Sequence, residues 1–417
     1  MNSLLRFLNC GLLVILIMYS SDLLAGINKS CDEIKSTMDI VVCARENHPE
    51  VKTGKLAFNQ SVTLENVAEQ RPNPEIEGSF ITGKSLGDVV TEAEIKISHI
   101  LELGGKRDAR INNAKSQIEV EKLYLEKVKS KYTLLTVIAL YRLIQVKEEI
   151  AVLDEAEGTF KKIQRQYKKR GKLNPESEVS LNVFQLAEGD YKLKKLGRSE
   201  ELRELSNYFE IATGLTLKEV ERYLPKRINK WPKIFRNSES QEGIDLKIAK
   251  SKVNKALSEV DLAKSESWPD LTISPIYKNS SDGGVSYDSF GIGVSFPLPL
   301  FHANGAGRAY AFKGLTQSKI NLKLKQINMK LIRANIVKNY DDSVKVLGRS
   351  ASYKELEKKH IKLERLFQRG LVSSSMVIEA HRQIIEFLHH VHEHSIKAIE
   401  NLWTVYAIDG KILKESI

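Results

Sequence analysis

The residues best suited to chemistry are histidines, and they are crowded. Five of the nine, His381, His389, His390, His392 and His394, fall within fourteen residues. On a helix His390 and His394 stand at i and i+4, a spacing at which two imidazoles share a face and can hold one metal ion. No cysteine lies near enough to complete such a set, so the pair competes with a plainer reading, a solvated or interhelical histidine cluster. The sequence has no glycine-rich phosphate loop and no G-x-S-x-G nucleophile turn at a strand–helix junction. No catalytic residue and no cofactor is expected, and an enzyme has no supporting residue. The net charge of +11 is spread over lysines and arginines interleaved with glutamates, as on solvated helical faces, and aromatics make up only 7%. Without a basic block carrying stacked aromatics, nucleic acid is excluded as a partner.

The N-terminus addresses the chain outward. Met1–Arg6 carries one positive charge, Leu8–Met18 is apolar, and Ser20–Ala25 is small or polar. This pattern predicts a signal peptide over residues 1–25. Cys10 sits ahead of most of the apolar run, and no small-residue lipobox precedes any cysteine near the cleavage point, so no lipid anchor is expected. No later stretch reaches 18 uninterrupted apolar residues, which leaves a β-barrel as the only route into a membrane. Export places Cys31 and Cys43 where a disulfide is permitted. On one continuous helix they would stand about 18 Å apart and could not bond. Ser36 and Asp39 look like a capping box that starts a helix near Thr37 and leaves Cys31 on an arm. A disulfide and two separate thiols both remain open.

The elements that must position these residues occur twice. Pro74-Glu75-Ile76 recurs in type as Pro269-Asp270-Leu271, Ile97–Leu101 as Val294–Leu298, and Arg170-Gly171 as Arg369-Gly370, at offsets of 195, 197 and 199 residues. Three landmarks in one order predict an internal duplication of a helix–strand–strand–helix–helix unit. The first repeat spans 26–214, with a helix from Thr37 to Gln70 open to interruption at Pro49. Its strands lie at 74–84 and 92–103 and its helical hairpin at 106–213, broken at Gly171 and restarted at Asn174-Pro175. Residues 215–240 form a linker. The second repeat spans 241–417, with strands at 270–280 and 287–301 and a hairpin at 307–407. Its long helix is expected to end at Arg369-Gly370.

The strands alternate. Phe290, Ile292, Val294, Phe296, Leu298 and Leu300 are separated by Gly291, Gly293, Ser295, Pro297 and Pro299. Ala93, Ile95, Ile97, His99 and Leu101 are separated by Glu94, Lys96 and Ser98, and Leu271, Ile273 and Tyr277 alternate with Thr272 and Ser274. Period two sets one face against an apolar phase and the other against water, and carboxylates such as Glu75, Glu77 and Glu94 suit a wet lumen rather than a packed core. Eleven tilted residues span roughly 27 Å, the height of a membrane barrel's apolar band. The long helices, about 100 Å each, carry a coiled-coil seam at Ile320, Leu324, Ile327, Leu331 and Ala334, shifted in phase at Val337, Tyr340, Val344, Leu347 and Ala351. The first is apolar on several sides, at Leu134, Leu135, Val137, Ile138, Leu140 and Tyr141, as a helix flanked by neighbours in a cylinder wall must be. Four strands cannot close a barrel, because single-chain barrels begin at about eight. Copies must share one: two reach the minimum of eight strands, and three supply twelve.

Several motifs carry a family resemblance. They are Asn47-His48-Pro49-Glu50, Arg71-Pro72-Asn73-Pro74-Glu75, Trp268-Pro269-Asp270-Leu271, the stretch Leu101–Arg110, and its counterpart Ser295–Phe301. The chain resembles the TolC-type outer-membrane factors over nearly its whole length, and Leu101–Arg110 resembles the junction of the CzcC-like heavy-metal efflux branch. The resemblance implies a mainly α fold with a membrane β-barrel, four strands per protomer in a twelve-stranded barrel shared by a homotrimer, and long coiled-coil helices forming a periplasmic tunnel. It implies an outer-membrane location against outer-membrane lipid. It also implies two further partners: a periplasmic membrane-fusion adaptor, and an inner-membrane transporter of the resistance–nodulation–division type. The role so implied is a passive duct, with divalent heavy-metal cations as cargo. Drug efflux or type I protein secretion on the same fold, or a periplasmic coiled-coil adaptor, are the alternatives. Against the family pattern, Glu379 matches a gate carboxylate at the tunnel mouth, while Met376 stands where a second acidic residue is expected. Arg170, Gly171, Leu173, Arg369, Gly370, Leu371 and Val372 match the adaptor-docking tips. Gly104, Gly105, Pro297 and Pro299 mark the strand–helix junctions, where glycine permits unusual dihedrals and proline ends ladder pairing.

Overall fold

The structure is a computed structural model of the 417-residue chain. It describes residues 31, 33–85, 88–169, 171–228, 230–235, 242–282, 284–349 and 353–417. The expected signal peptide at 1–25 and the tip residue Arg170 lie outside the described residues. The elements run α1 (Thr37–Asn47), α2 (Pro49–Glu69), β1 (Glu75–Ser85), β2 (Asp88–Leu101), α3 (Lys106–Lys169), α4 (Pro175–Thr213), α5 (Leu217–Glu221), α6 (Ile244–Ser265), β3 (Leu271–Asp282), β4 (Val285–Ser295), α7 (Gly305–Leu347), α8 (Tyr353–Gln368) and α9 (Ser374–Ile408). They gather into two compact units that cut across the two halves of the sequence. One holds the described residues up to Thr53 with Lys127–Gly243 and Met329–Ile417; the other holds Gly54–Glu126 and Ile244–Asn328.

The first unit is helical. Ser36 and Asp39 cap α1 reciprocally: the Asp39 N–H donates to Ser36 Oγ at 3.3 Å, and the Ser36 N–H donates to Asp39 Oδ2 at 2.8 Å. The arm before the cap is tied down, because Cys31 and Cys43 are disulfide-bonded with Cα atoms 5.3 Å apart. The chain leaves α1 at His48, which is extended as a residue before proline must be, and Pro49 opens α2 where its missing N–H costs nothing. The core centres on α3, 64 residues long, or about 96 Å. Its Val137, Leu140, Tyr141 and Leu143 are buried among Ile40 and Val41 of α1, Phe209 of α4, Tyr340 of α7, and Ile399, Leu402 and Trp403 of α9. A helix packed by four others needs apolar residues all round, which explains the several stripes in its sequence. The described residues of the expected linker join this core: they include α5, and Val220, Tyr223, Leu224, Trp231 and Ile234 pack in the same cluster.

The expected helix from Gly307 to Arg369 is two helices. It stops at Leu347, where the Gly348 N–H bonds the Val344 carbonyl and the Arg349 N–H the Val346 carbonyl. A glycine and two serines, Gly348, Ser350 and Ser352, hold a helix poorly. Of the expected seam, Ala351 lies outside the described residues, whereas Val337 and Tyr340 are buried.

The second unit carries one antiparallel sheet in the order β1-β2-β3-β4. The register pairs Glu77 with Lys96, Glu94 with Lys278 and Ser274 with Gly293 on one face, and Ile76 with Ile97, Ile95 with Tyr277, and Tyr277 with Phe290 on the other. Two expected strand bounds are corrected. β2 begins at Asp88 rather than 92, because Asp88–Thr91 complete the hairpin ladder with Thr82–Ser85. β4 ends at Ser295 rather than 301, because Pro297 and Pro299 offer no ladder donor and the Leu300 N–H turns back to the Leu298 carbonyl at 2.8 Å. Within this unit α6 and α7 pack through Ala256, Val260, Ala263, Ala311 and Leu315.

Candidate functional site

The sheet separates its residue types by face. On one side stand Ile76, Phe80, Ile95, Ile97, Phe290, Ile292 and Val294, each 45–84% exposed. On the other, Lys96 pairs with Glu77 at 2.7 Å and Lys278 with Glu92 at 2.9 Å, while the hydroxyls of Ser98 and Ser274 share a hydrogen bond of 3.0 Å. The outer members of the sheet, β1 and β4, each have one unpaired edge within this chain. In water such a sheet is inside out: its apolar side is bare and its charges are the paired side. In lipid the arrangement is reversed in cost, provided the edges find partners. Among the described residues no helix is long and apolar enough to cross a membrane.

The first junction shows why its residues are needed. Gly104 and Gly105 both sit at φ +70°, in the left-handed region. A Cβ on Gly104 would lie 2.5 Å from the Trp268 ring, so the position requires glycine twice over, for its backbone and for its neighbour. Asp270 accepts from the Leu103 N–H at 3.3 Å and from Lys106 Nζ at 2.6 Å. Arg110 is ion-paired with Glu102 and also donates to the Gln70 carbonyl at 3.1 Å, and Arg107 donates to the Glu69 carbonyl at 2.9 Å. The turn from β2 into α3 is thereby bolted to the start of β3 and the end of α2. At the second junction the left-handed residue is Asn304, at φ +50°. Its side-chain amide donates to the Ala263 carbonyl at 2.9 Å, and asparagine tolerates that conformation better than most residues.

In the helical unit the hairpin ends are closed by matching local chemistry. Gly171 (φ +75°) and Gly370 (φ +71°) end α3 and α8. At the latter, Leu371 N–H to the Leu366 carbonyl and Gly370 N–H to the Phe367 carbonyl make a Schellman motif. Asn174 and Ser373 cap the returning helices through the N–H groups of Ser177 and Met376. The two ends pack together: Phe160, Phe184, Tyr191 and Val377 are buried with Tyr167 and Phe367 against them, and Tyr167 Oη lies 3.0 Å from Ser374 Oγ. Leu371 is 69% exposed at its turn, Val372 after it is half-buried, and Leu173 at the other turn is half-buried too.

Glu379 is exposed and already paired: Arg382 donates to both its oxygens at 2.7 and 2.9 Å, and Gln383 donates at 2.8 Å. The Arg382 guanidinium holds this carboxyl below its usual range. The histidine cluster resolves differently from its i, i+4 spacing. His390 is exposed, 3.7 Å from Glu393, and His381 is buried with Nδ1 2.8 Å from the Val377 carbonyl and its ring against Phe160. Among the described residues no group of three or more histidine, cysteine, aspartate or glutamate side chains could hold a metal.

The histidine that matters structurally is His392. It lies buried on α9 between two carboxylates of α3, Nδ1 2.8 Å from Glu149 and Nε2 3.2 Å from Glu148. Glu149 is shared with Arg142 at 2.9 Å and Arg198 at 2.8 Å, Arg142 also holds Glu201 at 2.5 Å, and Arg227 pairs with Glu148. Burial by itself would raise Glu149, but the hydrogen bonds from His392 and Arg142 outweigh it and bring the carboxyl down to about 2. Burial would likewise lower His392, and the two carboxylates outweigh it, so the imidazolium is favoured. A doublet of glutamates at the end of the mainly apolar stretch of α3 that also holds Arg142 was the available signal for this cluster. Its histidine partner, 243 residues away, was not marked by any spacing.

No protein-family model and no curated protein matches the sequence. Solved structures do. The outer-membrane channel CmeC of Campylobacter jejuni superimposes with a TM-score of 0.67 at 14% identity, over 91% of this chain and 87% of its own. CusC, described for its folding and transmembrane channel formation, gives 0.68 at 14%, over 90% and 92%. The open-state MtrE outer-membrane channel of Neisseria gonorrhoeae gives 0.68 at 12%, over 90% and 89%. The chain has the fold of the outer-membrane efflux channels. In that fold the long helices and the four-stranded sheet are parts of one protomer, which agrees with the fold class expected from the sequence.

Proposed function

We propose that the chain is one protomer of an outer-membrane efflux channel, a passive duct without chemistry of its own. The observation that carries this reading is the sheet, with its apolar face bare, its ion pairs on the opposite face, and two open edges. Three copies joined edge to edge give a twelve-stranded closed barrel, apolar outside and charged within. The exposed seam of α7, Ile320, Leu324, Ile327 and Leu331, each 48–60% exposed, is then covered by a neighbouring copy. The two halves of the chain are copies of one unit, and residues 1–25 are removed on export.

The remaining roles follow from the same reading. The turns at Gly171, Leu173, Gly370, Leu371 and Val372 meet a periplasmic adaptor, which links the duct to an inner-membrane pump. Glu379, with its Arg382 partner, lies at the tunnel mouth. Gly104, Gly105, Pro297 and Pro299 turn the chain from barrel to helices. The cargo reading, divalent heavy-metal cations, rests on the likeness of Leu101–Arg110 to the CzcC-like junction. Purified protein reconstituted in a planar bilayer is expected to give discrete conductance steps and to run as a trimer after cross-linking. A mature chain that stays monomeric and soluble without detergent rejects the channel. Unchanged zinc, cobalt, cadmium and copper tolerance in a deletion strain rejects the metal cargo and leaves the channel standing.

A further inference from the structure

Along α3 and α4 many cations of the helical unit are tied to carboxylates, while Lys218, Lys226, Lys230 and Lys233, away from the hairpin ends, are exposed and unpaired among the described residues. Arg142, Lys195, Arg198 and Arg227 are all ion-paired, and Lys192 and Lys194 pair along their own helix. At the joined ends of the hairpins the pattern changes. Lys162, Arg165, Lys169, Lys172, Lys358 and Lys362 are exposed, and among the described residues none is ion-paired. From Gly158 to Pro175 the sequence holds no acidic residue. Attraction to the helix dipole explains cations in the last turn, such as Lys169. It does not reach Lys162, Lys358 or Lys362, which lie beyond the last turn. Lys358 and Lys362 also stand at i and i+4, a like-charge spacing that opposes helix formation. At the crown of this basic end, Leu371 and Met376 are 69% and 55% exposed.

We propose that the hairpin ends dock a protein surface rich in carboxylates, with Leu371 and Met376 as apolar anchors and the unpaired cations as a surrounding band. This rests on the channel reading and specifies the chemistry of its partner. An apolar centre with a charged rim is the usual anatomy of such a contact. The depth of the band favours a protein over an anionic lipid surface. Lys362 and Lys358 lie about 10 and about 16 Å along the helix from Arg369. A flat bilayer touching the turns would leave them beyond the screening length of about 8 Å at physiological salt. A partner with helices running alongside reaches all of them.

The test uses the full mature chain held in amphipol, with poly-L-glutamate and phosphatidylglycerol vesicles as probes. One variant combines Lys162→Gln, Lys169→Gln, Lys358→Gln and Lys362→Gln. A control removes the same charge at exposed lysines outside the hairpin ends, with Lys218→Gln, Lys226→Gln, Lys230→Gln and Lys233→Gln. A third places arginine at the four hairpin lysines. Poly-L-glutamate binding is expected to fall about tenfold in the first, to change less than about twofold in the control, and to persist in the arginine variant. Equal losses in the first variant and the control overturn the proposal, as does no loss in either. Loss of vesicle binding with poly-L-glutamate binding retained also overturns it, by transferring the basic end to a membrane. Bilayer conductance is expected to be unchanged in the first variant. Absence of conductance in the wild-type protein rejects the channel reading instead, so the two failures are distinguishable.

Discussion

The sheet of the second unit and the core of the first treat polarity in opposite ways. Around α3, Leu140, Phe160 and Tyr340 are buried, and the charged groups that enter, Arg142, Glu149 and His392, do so fully paired. In the sheet, Phe290 and Ile292 are exposed and the ion pairs occupy the face that a soluble sheet would bury. On the channel reading proposed above, the two regions are written for different surroundings, water for the helices and lipid for the outer face of the strands. Each can be perturbed separately.

The largest expected effect is at the sheet. Phe290→Arg combined with Ile292→Arg places two cations on the apolar face, each costing about 2–4 kcal/mol if that face meets the bilayer midplane. Trimer yield and bilayer conductance are expected to fall more than tenfold. An unchanged yield would mean that the face does not meet lipid, and the contrast between the regions would collapse.

Next in size is Phe160→Ala in the helical unit, where a buried ring touches Phe184, Tyr191 and His381. A loss of about 3–5 kcal/mol is expected in denaturant melts of the extracted protein. Reducing the Cys31–Cys43 disulfide is expected to cost about 3 kcal/mol through the closed loop of twelve residues, read as a lower melting temperature in dithiothreitol. Gly104→Ala forces Cβ into the Trp268 ring at a positive φ, and a loss of roughly 1–3 kcal/mol is expected. Adding Trp268→Ala should relieve the contact but not the backbone strain. Complete rescue would show that the ring alone demands the glycine.

The smallest effect is a pH dependence confined to the helical unit. His392 titrates above its ordinary value in the fold. Its contribution is therefore full below the unfolded pKa near 6.5 and is lost as pH rises through the higher folded value. Glu149, brought down to about 2, contributes above its unfolded value and is lost as pH falls toward 2. Melting temperatures of wild type and His392→Gln are expected to differ most near pH 6 and to converge at alkaline pH. A gap that persists unchanged to high pH would assign His392 a packing role only.

Much was legible in the residues themselves. The bounds of α3, the caps at Ser36, Asn174 and Ser373, the turns at Gly171 and Gly370, and the alternation in β2, β3 and β4 depend on hydrogen bonds and periodicities that close within a few residues. Such local demands leave their mark in order along the chain. The tertiary structure alone decided that His392 meets Glu148 and Glu149 rather than pairing His390 with His394, and that Trp268 lies on Gly104. It also decided that the described residues of the apparent linker, up to Ile234, belong to a core and that the disulfide forms. Each of these joins residues far apart in sequence, or depends on which elements become neighbours. No period or motif records that choice, because it is made by the packing of whole helices and strands against one another.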